Sequence, residues 1–188
     1  MEVNHRSKNM LSTIQALARR TNSDEPGVMA RFEDRVRSLA VNQDILVERQ
    51  WREVPLRELV EAQLQFAAAA QGVIDAQGPD LLLRPRASEV VGMALHELAT
   101  NSLKYGAMST DGGKVHIRWE RGADGFTLTW RESGGPPVQP PQRTGFGTKL
   151  ILDVPRHNLS ARVSLTYPED GIAWKMDCDD AQLVDARA

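Results

Sequence analysis

The second half of the sequence contains a row of polar residues whose types suit chemistry on a phosphorylated ligand. In HELATNSLKYGA (96–107), Glu97, Asn101 and Lys104 follow one another at spacings of four and three. At about 100° per residue these three side chains share one face of a helix. Oxygen ligands hold Mg²⁺, which keeps several of its waters, and an ammonium group pairs with phosphate. The row favours a site for a metal–triphosphate, although an ordinary solvated helix face would show the same residues.

A second pattern places an acid next to two glycines. In WRESGGPP (130–137), Glu132 stands at the predicted end of a strand and is followed by Gly134 and Gly135. Glycines let a flat ligand approach the backbone, and the carboxylate can accept a hydrogen bond from an exocyclic amine. A strand-to-loop turn with a solvated acid is the alternative interpretation.

A third pattern, RTGFGTKL (143–150), has two glycines separated by one residue ahead of a predicted helix. Backbone N–H groups at a helix start favour phosphate oxygens. Gly-x-Gly alone is weak evidence, because it matches neither the P-loop nor the dinucleotide fingerprint.

The composition limits the class of protein that carries these patterns. The 188 residues suit one large domain, or a small module joined to a medium one. With 25 acids against 23 Lys and Arg, and aromatics at only 5%, general nucleic-acid binding is excluded. The single Cys178 excludes an internal disulfide and fits a reducing cytoplasm. No apolar run approaches the roughly 20 residues that span a bilayer. We therefore expect a soluble cytoplasmic protein without membrane contact.

The first 51 residues predict a helical hairpin. Residues 1–20 form an apolar stripe of Met10, Ile14 and Leu17, and a turn signal follows at 21–27. Residues 28–50 predict a second helix. Its heptad seam has one polar break, at Gln43, and consists of Met29, Phe32, Val36, Leu39, Gln43 and Leu46. A lone hairpin cannot bury both stripes, so the pattern favours a homodimer through this hairpin.

Residues 52–188 alternate helical and strand patterns. The predicted order is a helix at 54–69, two short strands around a Gly-Pro turn within 72–85, a helix at 86–104, a hairpin at 114–132, a loop at 133–147, a helix at 148–159 and a hairpin at 161–178. The inner face of the long helix is predicted to hold Val91, Leu95, Leu98 and Ser102. This order predicts an α+β sandwich with helices on one face of a mixed, mainly antiparallel sheet.

The order of the three polar patterns resembles the N, G1 and G2 boxes of the GHKL (Bergerat-type) ATP-binding fold. EVNHRSKN (2–9) resembles the phosphoacceptor box of the HWE histidine kinases. His96-Glu97 and Trp130-x-Glu132 resemble the His and the Trp-x-Glu that name that group, and TGFGTKLI resembles its short glycine box. The resemblance implies two domains: a dimerisation and phosphoacceptor hairpin over 1–51 and a catalytic ATP-binding domain over 52–188.

The same resemblance implies a role for each site residue. His5 would take the phosphoryl group of Mg²⁺–ATP, Glu2 would orient its ring or accept its proton, and Glu97 would lie near the metal or its water. Arg6 and Lys8 would stabilise the transferred charge and favour the neutral imidazole. The nucleotide-binding residues implied are Asn101 as Mg²⁺ ligand, Lys104 at phosphate, Glu132 at the adenine amine, Gly134, Gly145, Gly147 and Thr148 around the pocket, and Arg143 from the lid. Trp130 and His96 have no role that the sequence reveals.

The resemblance also implies partners. A phosphohistidine is a transfer intermediate, so we expect a response-regulator receiver domain to take the group on an aspartate. The expected sensor domain would lie outside these residues. Two alternatives stay open: a histidine phosphotransfer adaptor with a non-functional ATP pocket, and a GHKL serine kinase or anti-sigma regulator.

Overall fold

The computed structural model describes residues 28–67, 72–138 and 145–184. The predicted first helix, residues 1–20, lies outside the described residues. The helices are α1 (Val28–Glu48), α2 (Leu56–Leu64), α3 (Pro85–Tyr105) and α4 (Phe146–Leu159). The strands are β1 (Val54–Pro55), β2 (Val73–Gln77), β3 (Leu82–Leu83), β4 (Lys114–Gly122), β5 (Gly125–Ser133), β6 (Arg162–Thr166), β7 (Ala173–Asp179) and β8 (Leu183–Val184). Short 3₁₀ turns follow α2, α3 and β7. No helix of the described residues is long and apolar enough to cross a membrane.

The main sheet has five strands in the order β2-β4-β5-β7-β6. Only β2 and β4 pair in parallel, and the other neighbours are antiparallel. The mixed, mainly antiparallel sheet is therefore confirmed. The two predicted strands within 72–85 exist, but they do not pair with each other. Instead, β3 joins β1 and β8 in a separate three-stranded sheet.

Alternation along the strands decides which face of the main sheet is buried. The alternating apolar side chains of the central hairpin are buried: Val115, Ile117, Trp119, Phe126, Leu128 and Trp130. The residues between them on β5 are less buried, and Arg131 is exposed. Because β-strand side chains point alternately to opposite faces, this face and the helices form one core.

Helix α3 crosses this core and determines where the site lies. It begins with Pro85 at its first position, which suits a position whose N–H has no partner in the helix. The predicted inner face is confirmed, since Val91, Leu95, Leu98 and Ser102 are all buried. The helix ends at Tyr105, and its C-cap is Gly106.

Helix α1 packs against α2 and α3 through the second half of its predicted seam. Leu39 and Leu46 are buried there, and Ile45 and Leu46 belong to the same core as the sheet. Two polar side chains, Ser38 and Asn42, are buried beside them. The heptad pattern is thus satisfied, over its described part, by contact with the rest of the chain.

Candidate functional site

The row predicted on α3 is arranged from the core outwards. Glu97 is buried, Asn101 is half-buried and Lys104 is exposed. At about 100° per residue the three positions span an arc of roughly 60° on the last turns of the helix. The row therefore presents a carboxylate, an amide and an ammonium to one region, with the acid deepest.

The start of α4 lies against this row. A Cβ placed at Gly147 would overlap Oε1 of Glu97, so the glycine is needed for this approach. Gly145 is the N-cap residue and is exposed, and a Cβ there would meet no described atom within 4 Å. Thr148 lies half-buried in the first turn of α4. Glu97 of the first pattern and Gly147 of the third pattern are therefore neighbours.

Glu132 is buried beneath the turn that follows α3, which excludes the alternative of a solvated acid at that position. Its Oε2 accepts the backbone N–H of Ala107 at 2.8 Å, and its Oε1 accepts the indole N–H of Trp130 at 3.0 Å. A Cβ at Gly106 would overlap Oε2. The carboxylate thus joins the end of β5 to the end of α3.

The two glycines after β5 rest on the same turn. Gly134 has φ +71°, a left-handed conformation that favours glycine, and it is exposed. A Cβ at Gly135 would lie 2.8 Å from both the N and the Cα atom of Ala107. This close approach keeps the start of the Pro-rich loop against the end of α3.

The three polar patterns consequently meet at the carboxyl-terminal half of α3. Glu132 reaches the turn after the helix, and Gly147 abuts Glu97 within it. His5, Glu2 and Arg143 lie outside the described residues. The proximity of a backbone-lined acid, a Gly-x-Gly helix start and a Glu–Asn–Lys row suits a nucleotide with its phosphates.

The side-chain oxygens of Asn101 and Glu97 suit a Mg²⁺ ion that is also bound by a nucleotide better than a metal site made of protein ligands alone. Among the described residues no group of three His, Cys, Asp or Glu could hold a metal ion. Asn101 and Glu97 supply oxygen atoms one helical turn apart. Mg²⁺ typically takes one or two protein oxygens and completes its octahedron with waters and substrate phosphates. The residues present therefore fit a magnesium ion that arrives with a nucleotide.

The sequence reasoning missed three residues of this site. Gly106 and Ala107 form the turn that receives the carboxylate of Glu132, and Trp130 donates to the same carboxylate. Trp130 is fully buried. The signal was present in the Trp-x-Glu spacing, because residues two apart on a strand point to the same face.

His96 lies on the neighbouring face of α3. It is buried, and its ring lies 4.6 Å from that of Phe66, centroid to centroid. A cavity of about 180 Å³ adjoins it, lined by Arg37, Phe66, His96, Thr100, Leu103 and Lys104. The histidine therefore contributes to the boundary between α1 and α3 beside the polar row.

Comparisons with known proteins agree with this arrangement. The family model of the HWE histidine kinase matches residues 2–80. A blue-light-activated histidine kinase of Brucella anthropi is 32% identical over 179 residues, which cover 91% of this chain and 36% of that protein. The chain is therefore similar to HWE histidine kinases over most of its length. It spans about a third of the length of the curated relatives it matches.

Solved structures show the same fold. The histidine kinase domain of the blue-light activated kinase of Erythrobacter litoralis has a TM-score of 0.68 at 16% identity, over 92% of this chain and 85% of that one. The ATP binding domain of PrrB from Mycobacterium tuberculosis has a TM-score of 0.51 at 16% identity, over 68% of this chain and 96% of that one. At these identities the likeness concerns the fold, which is that of histidine kinase catalytic domains.

Proposed function

We propose that this chain is a histidine kinase core that autophosphorylates His5 from Mg²⁺–ATP and then passes the phosphoryl group to an aspartate of a response-regulator receiver domain. The observation that carries the proposal is that Gly147 abuts Glu97 and that Glu132 reaches Ala107 just past the same helix, so the three patterns lie along the carboxyl-terminal half of α3. This arrangement has a part for each portion of ATP.

Each part of the site has a chemical task in this proposal. Glu132 and the glycines after β5 receive the adenine, and Lys104 pairs with phosphate. Arg143, Gly145 and Thr148 contact the phosphates from the loop and the start of α4, where backbone N–H groups favour anions. Asn101 would hold Mg²⁺ through its side-chain oxygen, and Glu97 would orient a water beside it. Bound Mg²⁺ would neutralise charge on the β- and γ-phosphates.

The transfer step needs a neutral imidazole. A nitrogen of His5 attacks the γ-phosphorus in line, the N–P bond forms, and the bond from phosphorus to the β–γ bridging oxygen breaks as ADP leaves. Glu2, three residues before His5 in the sequence, accepts the ring proton or orients the ring. Arg6 and Lys8 stabilise the charge on the transferred group.

The partners follow from the product. Phosphohistidine is a transfer intermediate, so the group moves next to the aspartate of a receiver domain docked on the hairpin of residues 1–51. A second copy of the chain pairs through the same hairpin, and residues 52–188 act as the catalytic domain.

Labelling with γ-labelled ATP tests the proposal. Wild type should acquire label that is stable to base and labile to acid, whereas His5→Ala and Asn101→Ala should lose it. His157→Ala is a matched control, because His157 is exposed in the last turn of α4 and should leave labelling unchanged. A purified receiver domain should then remove the label, and its Asp→Asn variant should not.

The outcomes separate the alternatives. Absence of Mg²⁺-dependent nucleotide binding would indicate a phosphotransfer adaptor. Acid-stable label would indicate a serine kinase, and acid-labile label that persists in His5→Ala would place the phosphoacceptor elsewhere.

A further inference from the structure

Trp130 and Glu132 form a pair that the strand itself creates. They lie two residues apart on β5, so both side chains point to the buried face of the sheet. Trp130 is held on both sides by its cross-strand neighbours, Ile117 on β4 and Trp174 on β7. Both members of the pair are at most 1% exposed. The indole is therefore a fixed donor placed beside the carboxylate.

The carboxylate has little freedom to turn. Its two oxygens accept one N–H each, from Trp130 and from Ala107, at 3.0 and 2.8 Å. Backbone encloses it, since a Cβ at Gly106 would overlap Oε2 and a Cβ at Gly171 would lie 2.9 Å from Cβ of Glu132. An ionised carboxylate has about four lone-pair sites. Roughly one on each oxygen thus remains for a further donor.

Trp130 differs in this respect from the other two fully buried tryptophans of the described residues. Trp119 donates its indole N–H to the carbonyl of Pro79, and Trp174 donates to the carbonyl of Ile151. Both acceptors are backbone carbonyls, whose direction is already fixed by the fold. Trp130 alone of these three donates to a side-chain carboxylate.

We propose that Trp130 is a positioning residue that sets the base preference of the nucleotide site. This inference rests on the proposed function, in which Glu132 receives the adenine amine. The indole N–H occupies one side of Oε1 and the Ala107 N–H one side of Oε2. The lone pairs left over therefore have fixed directions, which a purine amine can match. A purine with a carbonyl oxygen at that position would instead meet the acceptor with another acceptor.

The experiment compares ATP with inosine triphosphate, which carries a carbonyl in place of the amine. Equilibrium binding with Mg²⁺ is measured on wild type, Trp130→Phe, Glu132→Gln and the double variant. Trp130→Phe should weaken ATP binding about tenfold, because the Glu132 carboxylate loses the donor that fixes its orientation toward the amine. Inosine triphosphate binding should change by less than about threefold, since no amine contact exists to lose.

Trp119→Phe is the matched control. It also removes the indole donor of a buried tryptophan, on the neighbouring strand β4 and away from Glu132. It should leave the ratio of ATP to inosine triphosphate affinity unchanged. In the Glu132→Gln background, Trp130→Phe should add less than about twofold to the loss of ATP affinity, because both changes act through one carboxylate. An equal loss for both nucleotides, or the same loss in Trp119→Phe, would overturn the positioning role.

A second measurement does not depend on nucleotide or on the stability of Trp130→Phe. The indole N–H resonance of Trp130 should shift in Glu132→Gln, whose amide can accept only one of the two N–H bonds. The resonances of Trp119 and Trp174 should stay in place. An unmoved Trp130 resonance would refute the pair. Wild type that binds no ATP would instead refute the proposed function, and this inference with it.

Discussion

Gly92 on α3 provides a direct test of how α1 is held against α3. A Cβ at this position would overlap Oδ1 of Asn42 and would lie 2.7 Å from its Nδ2. Asn42 is only 1% exposed. It donates from Nδ2 to the carbonyl of Glu89 at 3.3 Å and accepts at Oδ1 from Nε2 of Gln63 at 3.0 Å. Gly92→Ala must therefore displace a buried amide that makes two hydrogen bonds.

Two effects of opposite sign decide the magnitude. Replacing a mid-helix glycine with alanine stabilises the helix by about 1 kcal/mol. Displacing Asn42 breaks two hydrogen bonds at about 1 kcal/mol each, and a buried polar atom left without a partner costs about 1–3 kcal/mol more. We expect Gly92→Ala to lower the free energy of unfolding by roughly 2–4 kcal/mol in wild type. In Asn42→Ala the same change should raise it by about 1 kcal/mol, because the obstacle is gone.

Urea unfolding of wild type, Gly92→Ala, Asn42→Ala and the double variant measures both effects. Gly122→Ala is the control, because a Cβ there meets only the carbonyl of Gly125 at 3.8 Å. It should change stability by less than about 0.5 kcal/mol. If Gly92→Ala destabilises the Asn42→Ala background as much as wild type, the close approach of α1 and α3 is not what limits this position.

Three further predictions follow from single contacts. Gly147→Ala should reduce autophosphorylation at least about tenfold with unchanged circular dichroism, because its Cβ displaces Glu97; equal labelling would refute this. Burial raises the pKa of Glu89 in the folded protein, although the hydrogen bond from Gln43 opposes this rise. The protonated carboxyl therefore contributes stability below the pKa of the unfolded state. This contribution is lost as the pH rises through the pKa of the folded state. Wild type should thus lose stability relative to Glu89→Gln as the pH rises above about 4 in urea titrations, and parallel curves would contradict this. Burial and the neighbouring aspartates raise the pKa of Cys178 to about 12, so iodoacetamide at pH 8 should label it only after unfolding.

Patterns of short period could be predicted well from the sequence. The alternation through Ile117 and Trp119 placed the central hairpin correctly, and the spacing of Leu95 and Leu98 placed the buried face of α3. These elements can be recognised from the local sequence, because each is long enough to repeat its hydrophobic pattern more than once. The polar row at the end of α3 was predictable for the same reason.

Features that depend on distant pairing were not predictable. The strands β1, β3 and β8 have two residues each, which is too short for any alternation to show. The partner of Glu132 was also hidden, since Ala107 is 25 residues away and donates through its backbone. The seam of α1 showed an apolar face but not its partner. A heptad pattern reads the same for a second copy of the chain and for the α3 surface on which it lies.

The contacts of α3 connect two tasks that the sequence presents as separate. Near its start, Glu89 and Gly92 hold α1 through a buried polar cluster that also includes Ser38 and Gln63. Near its end, the same helix carries the row that begins at Glu97. At 1.5 Å per residue, Gly92 and Glu97 are only about 7.5 Å apart along the axis. The cluster and the row therefore move as one body.

A motion of α1 relative to this body must break the cluster. Five hydrogen bonds at about 1 kcal/mol each would be lost between α1 and its neighbours, before the apolar contacts of Leu39 and Leu46 are considered. A ligand shifts an equilibrium only by its preference for one of the two states. A signal that separates α1 from α3 must therefore supply at least the free energy of these five hydrogen bonds. A smaller signal can act only on residues before Ser38, where these bonds do not reach. Because the five bonds involve Ser38, Asn42 and Gln43 of α1, a displacement confined to residues 28–37 breaks none of them and is expected to cost less than displacing the rest of α1.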